Sequence, residues 1–111
     1  MTETTSAPKP ERVDAREFPD ALAEHGFVLV DFYTKGCTLC RSVEPVLGSV
    51  DRATGVPMLL VNPKDDPSLV AEHDVRSVPT LALFRDGEEV GRVADGFVSA
   101  ERLVEFVESN R

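Results

Sequence analysis

The sequence predicts an α/β domain with a central mixed β-sheet and helices on both of its faces. Two near-continuous apolar runs, residues 27–33 and 56–61, are typical of strands that are buried on both sides. Segments in which apolar residues recur at helical spacing alternate with these runs. Further along, Asp86-Gly87 is a strong two-residue hairpin signal, so the last two strands should be antiparallel. These observations predict parallel strand–helix units followed by a hairpin and a closing helix.

The chain begins with a polar segment. Residues 1–12 contain Pro8 and Pro10 and are predicted to be a flexible tail, followed by a single domain at residues 13–111. A chain of 111 residues can bury about two thirds of its unfolded surface, so it needs no metal or disulfide to fold. No apolar run has the length of a transmembrane helix, and no secretory signal is recognised. We therefore expect a cytoplasmic protein without membrane contact.

The first helix is predicted over residues 14–24, where Pro19 starts its more regular half and Gly26 ends it. After the first buried strand, a second helix is indicated by apolar residues at helical spacing: Leu39, Val43, Val46, Leu47 and Val50. Pro45 lies inside this helix and should kink it. A shorter helix is expected to open at Asp66-Pro67 and to end near His73.

Two strands and a helix complete the predicted fold. The strands are residues 80–84 and 88–93, and Val90 is predicted to face the core. The last helix should be capped by Ser99, with Val98 and Leu103 forming a hydrophobic staple around the cap.

Cys37 and Cys40 are the only cysteines, and they lie where a strand leads into a helix. At the first turn of that helix, free backbone N–H groups and the helix dipole favour a negative charge on the Cys37 sulfur. Because the thiolate is the attacking species in disulfide exchange, Cys37 is predicted to be the nucleophile. Cys40, one turn further in, should be more buried and should resolve the mixed disulfide. The pattern therefore predicts dithiol redox chemistry.

The cysteine pair has two other interpretations. The two thiols could be inert core residues. A structural zinc ion needs four ligands, and the only histidines, His25 and His73, share no local motif with the cysteines, so no metal site is predicted within one chain. A metal bridging two chains stays open as an alternative.

The formal net charge of −8 argues against nucleic acids and anionic membranes as partners. Acidic residues are spread over the whole length, which would suit a salty cytoplasm because salt screens their repulsion. Nothing resembles a nucleotide-binding loop, so electrons would have to come from a separate reductase. No cofactor is predicted beyond the Cys37–Cys40 pair.

From about residue 14 to the C-terminus, the sequence resembles the thioredoxin family. Four landmarks carry the resemblance in order: Val30-Asp31-Phe32-Tyr33 before Cys37-Thr38-Leu39-Cys40, Pro45 five residues later, Val78-Pro79-Thr80, and Asp86-Gly87 followed by Gly96. The chain departs from the family in having Thr-Leu rather than Gly-Pro between the cysteines, and Gly36 and Tyr33 where tryptophans are usual. A glutaredoxin-like branch fits less well, because Asp31 and the long second half match thioredoxin.

The resemblance implies roles for further residues. Asp31 would be a buried general base that activates Cys40, although a solvent-facing aspartate at a strand end is the alternative. A cis Val78–Pro79 bond would face the cysteines, and the backbone of Val78 would pair with an extended partner segment. An ordinary trans proline is the alternative there. Gly36 would give the loop its freedom, and Gly96 would border the binding groove.

The predicted function is thiol–disulfide oxidoreductase, an enzyme that reduces protein disulfides through Cys37 and Cys40. Its expected partners are disulfide-bonded proteins and a reductase, and the chain is expected to act as a monomer. The alternatives are a binding or chaperone module with little general reductase activity, and a protein that bridges a metal through its Cys-x-x-Cys motif.

Overall fold

The computed structural model describes residues 10–111. The strands and α-helices of this part are, in chain order, β1 Glu11–Val13, α1 Phe18–Ala23, β2 Phe27–Phe32, α2 Thr38–Thr54, β3 Met58–Val61, α3 Pro67–His73, β4 Thr80–Arg85, β5 Glu88–Val93 and α4 Ala100–Asn110. A short 3-10 turn, Pro63–Asp65, precedes α3. No helix within residues 10–111 is both long and apolar enough to cross a membrane.

The five strands form one mixed sheet in the order β1-β3-β2-β4-β5. β3 is parallel to both β1 and β2. β4 runs antiparallel to β2, and β5 runs antiparallel to β4. The predicted mixed sheet, with a hairpin at its end, is therefore confirmed.

Each face of the sheet carries its own hydrophobic core. Successive side chains of β2 alternate between the two, as the pleat of a strand requires. Leu29 packs in a core with residues of α2 and α4, among them Val43 and Leu103. Val28 and Phe32 belong to the opposite core, which includes residues of α1 and α3. Helices on both faces are therefore confirmed as well.

The N-terminal end of the chain differs from the prediction. Residues 11 and 12, predicted to belong to a flexible tail, form β1 together with Val13 and pair in parallel with β3. Three residues of mixed polarity give no strand signal, and their order comes from ladder hydrogen bonds to β3. The prediction for residues 1–9 lies outside the described residues. α1 is also shorter than predicted and begins at Phe18, with Pro19 in its first turn.

Helix α2 presents a narrower buried face than the sequence suggested. Pro45 lies within it as predicted. The buried face runs through Cys40, Val43, Leu47 and Val50. Leu39 was predicted to belong to this face, but its side chain is 45% exposed. It lies beside Gly96, which has no side chain to cover it.

The prediction that Val90 faces inward is wrong. The register of β4 and β5 shifts at a bulge, so that Leu83 pairs with Gly91 and Phe84 with Glu89. Val90 is the extra residue between these pairs, and it is 40% exposed. After the bulge the alternation resumes, and Val93 is buried at 7% exposure.

The start of α4 agrees with the sequence. The side chain of Ser99 accepts a hydrogen bond from the Arg102 N–H at 3.2 Å, which is the predicted cap. Val98 and Leu103, the predicted staple, are both buried. This places the residues just before α4, including Gly96, at a fixed position in the fold.

Candidate active site

The two cysteines lie at the start of α2 and are joined by a disulfide with a Cα–Cα distance of 5.2 Å. Cys37 is the N-cap residue and has extended backbone angles. The Cys40 N–H donates a hydrogen bond to the Cys37 sulfur at 3.1 Å. Cys37 is partly exposed, whereas Cys40 is buried. The accessible sulfur is therefore the one at the helix end, where free N–H groups stabilise a negative charge.

The loop before β4 faces the cysteines. The Val78–Pro79 bond is cis, as the resemblance implied. The carbonyl oxygen of Val78 lies 3.9 Å from the Cys37 sulfur. Because a sulfur in a disulfide carries no proton, this approach is a packing contact and not a hydrogen bond. Beside it, the Thr80 hydroxyl donates a 2.6 Å hydrogen bond to the Ser77 carbonyl, which closes the turn around Pro79.

Two glycines lie close to the segment from Cys37 to Cys40. Gly36 precedes Cys37 with a φ of 77°, a left-handed conformation that glycine adopts without strain. Gly96 has a φ of 91°, and a Cβ at that position would lie 3.7 Å from the Leu39 side chain in the first turn of α2. Phe97 follows and is 54% exposed. No sequence pattern indicated that Phe97 is exposed, because one aromatic residue in a loop has no periodic signature.

Asp31 lies within β2 and is 1% exposed. Its neighbours across the sheet are the apolar residues Leu60 and Leu81. Among the described residues, neither carboxylate oxygen has a hydrogen-bond partner. Burial, together with the negative charge of Glu44, raises the pKa of Asp31 to about 7, and the positive charge of Arg12 opposes this rise. The alternative of a solvent-facing aspartate is therefore wrong.

Asp31 lies on the sheet face that α2 covers. Leu29, two residues earlier in β2, points to the same face and packs with Val43 and Leu47 of α2. Cys40 belongs to the same buried side of α2. Cys40 and the buried carboxyl thus lie on the same side of α2, towards the sheet.

Arg12 of β1 and Glu44 of α2 form an ion pair, with 2.9 Å between guanidinium nitrogen and carboxylate oxygen. The Arg12 guanidinium also lies 4.8 Å from the centre of the Tyr33 ring. Arg12 was predicted to belong to the tail, and no role was predicted for Glu44. Two charges 32 residues apart leave no local pattern, so only the fold brings them together.

The family model described as Thioredoxin matches residues 9–109. The chain belongs to the thioredoxin family. It is 36% identical to thioredoxin of Chlamydia caviae over 96 residues, which cover 86% of this chain and 92% of that protein. It is 38% identical to thioredoxin-2 of Pyricularia oryzae over 81 residues, which cover 72% of this chain but only 47% of that protein.

The solved structures agree. A mutant thioredoxin from Halobacterium salinarum superposes with a TM-score of 0.85 at 32% identity, covering 97% of this chain and 96% of that one. The predicted family and fold are confirmed. With its cysteine pair at disulfide distance, this member of the thioredoxin family is a thiol–disulfide oxidoreductase.

His73 of this thioredoxin-family chain lies on the opposite side of the sheet from α2, the helix that carries the cysteines. His73 packs against Phe18, Phe32 and Phe84, with ring centroids 5.6–5.7 Å apart. These phenylalanines belong to the core opposite α2. Burial lowers the pKa of His73. Among residues 10–111, no group of three His, Cys, Asp or Glu side chains is placed to hold a metal ion.

Proposed function

We propose that this chain reduces disulfides in proteins, with Cys37 as the nucleophile and Cys40 as the resolving residue. The observation that carries the proposal is the asymmetry of the pair. The Cys37 sulfur is partly exposed at the end of α2 and accepts the Cys40 N–H, whereas Cys40 is buried. An incoming disulfide can therefore reach one sulfur and not the other.

The reaction has two displacement steps. The Cys37 thiolate attacks one sulfur of the partner disulfide, and the other partner sulfur leaves as a thiolate, which then takes a proton. Cys40 next gives its proton to the Asp31 carboxylate and attacks the Cys37 sulfur of the mixed disulfide. The second partner sulfur leaves and is protonated, so the partner gains two electrons and the Cys37–Cys40 disulfide forms.

Asp31 is proposed as the general base for the second step. A base works best when its pKa is close to the working pH, and burial raises the pKa of Asp31 to about 7. An aspartate with an ordinary pKa would hold a proton too weakly for this task. Its position under α2, the helix that carries Cys40, supports the same role.

The groove beside the disulfide is proposed as the substrate site. A partner segment in extended conformation would pair with the backbone of Val78, next to Cys37. Pro79 holds that loop, and the absence of side chains at Gly36 and Gly96 leaves room for the partner backbone. Such a site recognises backbone geometry, which suits an enzyme that acts on many disulfides.

The oxidised cysteine pair must be reduced again after each turnover. The dithiol is regenerated by a separate reductase that supplies two electrons, and the Cys37–Cys40 pair is the only redox group required. The protein is proposed to act as a monomer in the cytoplasm, on protein substrates and without nucleic acid or membrane contact.

Two variants test the assignment of the cysteines. In a turnover assay with insulin disulfides and dithiothreitol, Cys37→Ser should abolish reduction, because no accessible nucleophile remains. Cys40→Ser should also stop turnover, but it should accumulate a mixed disulfide with the substrate that mass spectrometry detects. Ser42→Ala is the control, because this exposed residue of α2 should leave turnover unchanged. Full turnover in both cysteine variants would contradict the proposal.

A further inference from the structure

The register of the sheet aligns Arg12 with the buried carboxyl of Asp31 across three neighbouring strands. We call Arg12, Leu60 and Asp31 the buried row. Arg12 of β1 pairs with Leu60 of β3, and Leu60 pairs with Asp31 of β2. Residues in register on parallel strands point to the same face, so all three belong to the face under α2. Two strand spacings, about 10 Å, separate the backbones of Arg12 and Asp31, and a side chain as long as arginine can extend across much of that distance.

Helix α2 adds a charge of opposite sign above this row. Glu44 binds Arg12 with 2.9 Å between charged atoms, and both side chains keep contact with solvent. A cavity of about 350 Å³ lies between this helix and the sheet, bounded by Pro10, Arg12, Glu44, Leu47 and Leu60. Its floor includes Leu60, the register neighbour of Asp31. The ion pair thus lines a cavity that also reaches Leu60, the residue next to Asp31 in the sheet.

We propose that Arg12 and Glu44 form a positioning pair, whose two charges set the pH at which Asp31 binds and releases its proton. The proposal rests on the proposed role of Asp31 in activating Cys40. It makes β1, at the edge of the sheet, part of the redox machinery. It also gives each member of the pair a separate and opposite effect on one carboxyl group.

The directions of the two effects follow from charge. Glu44 is negative and opposes ionisation of Asp31, whereas Arg12 is positive and favours it. Both effects are strengthened because the carboxyl is buried and has no hydrogen-bond partner among the described residues.

Among residues 10–111, Glu44 and Arg12 are the charged groups that act on the Asp31 carboxyl, and its other neighbours in the oxidised protein are uncharged. Leu60 and Leu81 face Asp31 from β3 and β4. From α2 comes Cys40, held in the disulfide, and the residue that follows β2 is Tyr33, whose side chain packs against the same core. The Arg12–Glu44 pair is therefore the charged group that mutation can change without touching the disulfide.

The test measures the titration of Asp31 itself. In the oxidised full-length chain, the ¹³C chemical shift of the Asp31 carboxyl is followed against pH by NMR. Glu44→Gln should move the midpoint to lower pH and Arg12→Gln to higher pH, each by about 0.5 pH unit. Arg12→Lys keeps the positive charge and should restore a midpoint close to that of the parent protein.

Shifts of the Asp31 midpoint in opposite directions in the two variants distinguish the proposal from a purely structural role of the ion pair. If the ion pair only kept water out, losing either partner would hydrate Asp31, and both midpoints would fall towards the ordinary value of an aspartate. Midpoints that shift in the same direction in both variants, or in neither variant, would overturn the proposal. Glu108→Gln and Arg16→Gln are matched controls, because these side chains form similar exposed ion pairs, with Arg111 and Asp14.

A second readout separates this proposal from the function on which it rests. The rate at which Cys40 resolves a preformed mixed disulfide is measured against pH, and its midpoint should shift in each variant as the NMR midpoint does. If Asp31→Asn leaves that rate unchanged, the proposed role of Asp31 fails, and the NMR result still decides whether the pair controls its proton. If Asp31→Asn slows the rate but neither variant moves the midpoint, only the further inference fails.

Discussion

At the scale of the residue, one carboxyl group has an unusual environment, because it is buried without a hydrogen-bond partner among the described residues. Asp31 occupies a position in β2 where its neighbours across the sheet are leucines. A buried carboxylate without hydrogen-bond partners costs several kcal/mol, so the folded protein favours the protonated form. The fold therefore contains a residue whose ionised form lowers its stability, and strongly shifted pKa values of this kind cluster at functional sites, which agrees with the role proposed for Asp31.

This cost predicts a pH-dependent gain from Asp31→Asn. The pKa of Asp31 is about 7 in the folded chain and about 4 when unfolded, so the folded state binds the proton more tightly. Stability is therefore lost as pH rises from about 4 through 7. Above pH 7 the variant should be more stable than the parent by up to about 4 kcal/mol, whereas below pH 4 the gain should vanish. Urea unfolding of the oxidised protein between pH 3 and 9 measures it.

The control for this experiment is Asp65→Asn, because Asp65 is an exposed aspartate outside the core. Its unfolding free energy should follow the parent at every pH. A gain for Asp31→Asn that is the same at pH 3 and pH 9 would show that packing, and not ionisation, is responsible.

The residues around the disulfide form the second feature at this scale. Leu39, two residues after Cys37, is exposed and lies beside Gly96, and Phe97, the residue after Gly96, is exposed as well. The helical spacing predicted that Leu39 is a core residue, because spacing in the sequence cannot show that its neighbour in space is a glycine. The exposure of Leu39 is therefore a consequence of the tertiary structure.

At the scale of the element, one inserted residue in β5 changes which side chains of the strand point towards the core. The bulge between Leu83 and Phe84 leaves Val90 without a partner, and the strand then resumes its alternation with Val93 inside. A pattern of alternating polarity cannot reveal a bulge, because the extra residue shifts every side chain after it to the other face.

Matched substitutions test this assignment. Val93→Thr should lower the free energy of unfolding by about 1–3 kcal/mol, since it buries a hydroxyl without a partner in the core. Val90→Thr should change it by no more than about 0.5 kcal/mol, because the side chain is exposed and threonine keeps the β-branched shape. Chemical denaturation of the two variants makes the comparison, and a larger loss at Val90 would show that the bulge is misplaced.

The short length of β1 and its position at the sheet edge explain why this strand was not predicted. A strand of three residues at the sheet edge pairs with one neighbour, β3, and only Val13 of its side chains packs against a hydrophobic core. Its contribution is nevertheless specific, because it brings Arg12 to Glu44. An element without a sequence signature can thus supply a charge to the site.

At the scale of the whole molecule, the net charge of −8 is the main feature that the fold does not neutralise. The described ion pairs are mostly exposed, and exposed pairs contribute little to stability. Repulsion among the remaining acidic groups destabilises the compact state, and salt screens it.

Salt should therefore stabilise the protein. Raising KCl from 0.1 M to 1 M shortens the Debye length from about 10 Å to about 3 Å, and the melting temperature should rise by roughly 4–8 °C, equivalent to about 1 kcal/mol. Differential scanning calorimetry measures the change. A triple variant, Glu24→Gln with Glu101→Gln and Glu105→Gln, lowers the formal net charge from −8 to −5 and should respond less. An equal rise in both proteins would assign the effect to hydrophobic packing instead.

The sequence by itself determined the architecture and the redox pair. Buried strands, helical spacing and the Asp86-Gly87 turn are local patterns, because each reflects the periodicity of one element. The Cys37–Cys40 spacing is local as well, since one helical turn links the two residues. For the same reason, the Ser99 cap and the family resemblance could be recognised along the chain.

Only the tertiary structure decided the exposure of Val90 and the pairing of Arg12 with Glu44, because these depend on strand register or join residues that are distant in sequence. The burial of Asp31 and the approach of Val78 to Cys37 were implied by the family resemblance, and the structure supplies their distances and surroundings. Electrostatic interactions act through space, and burial depends on what covers a residue. Neither quantity has a period along the chain, so the electrostatic environment of the site emerges only when the sheet and α2 come together.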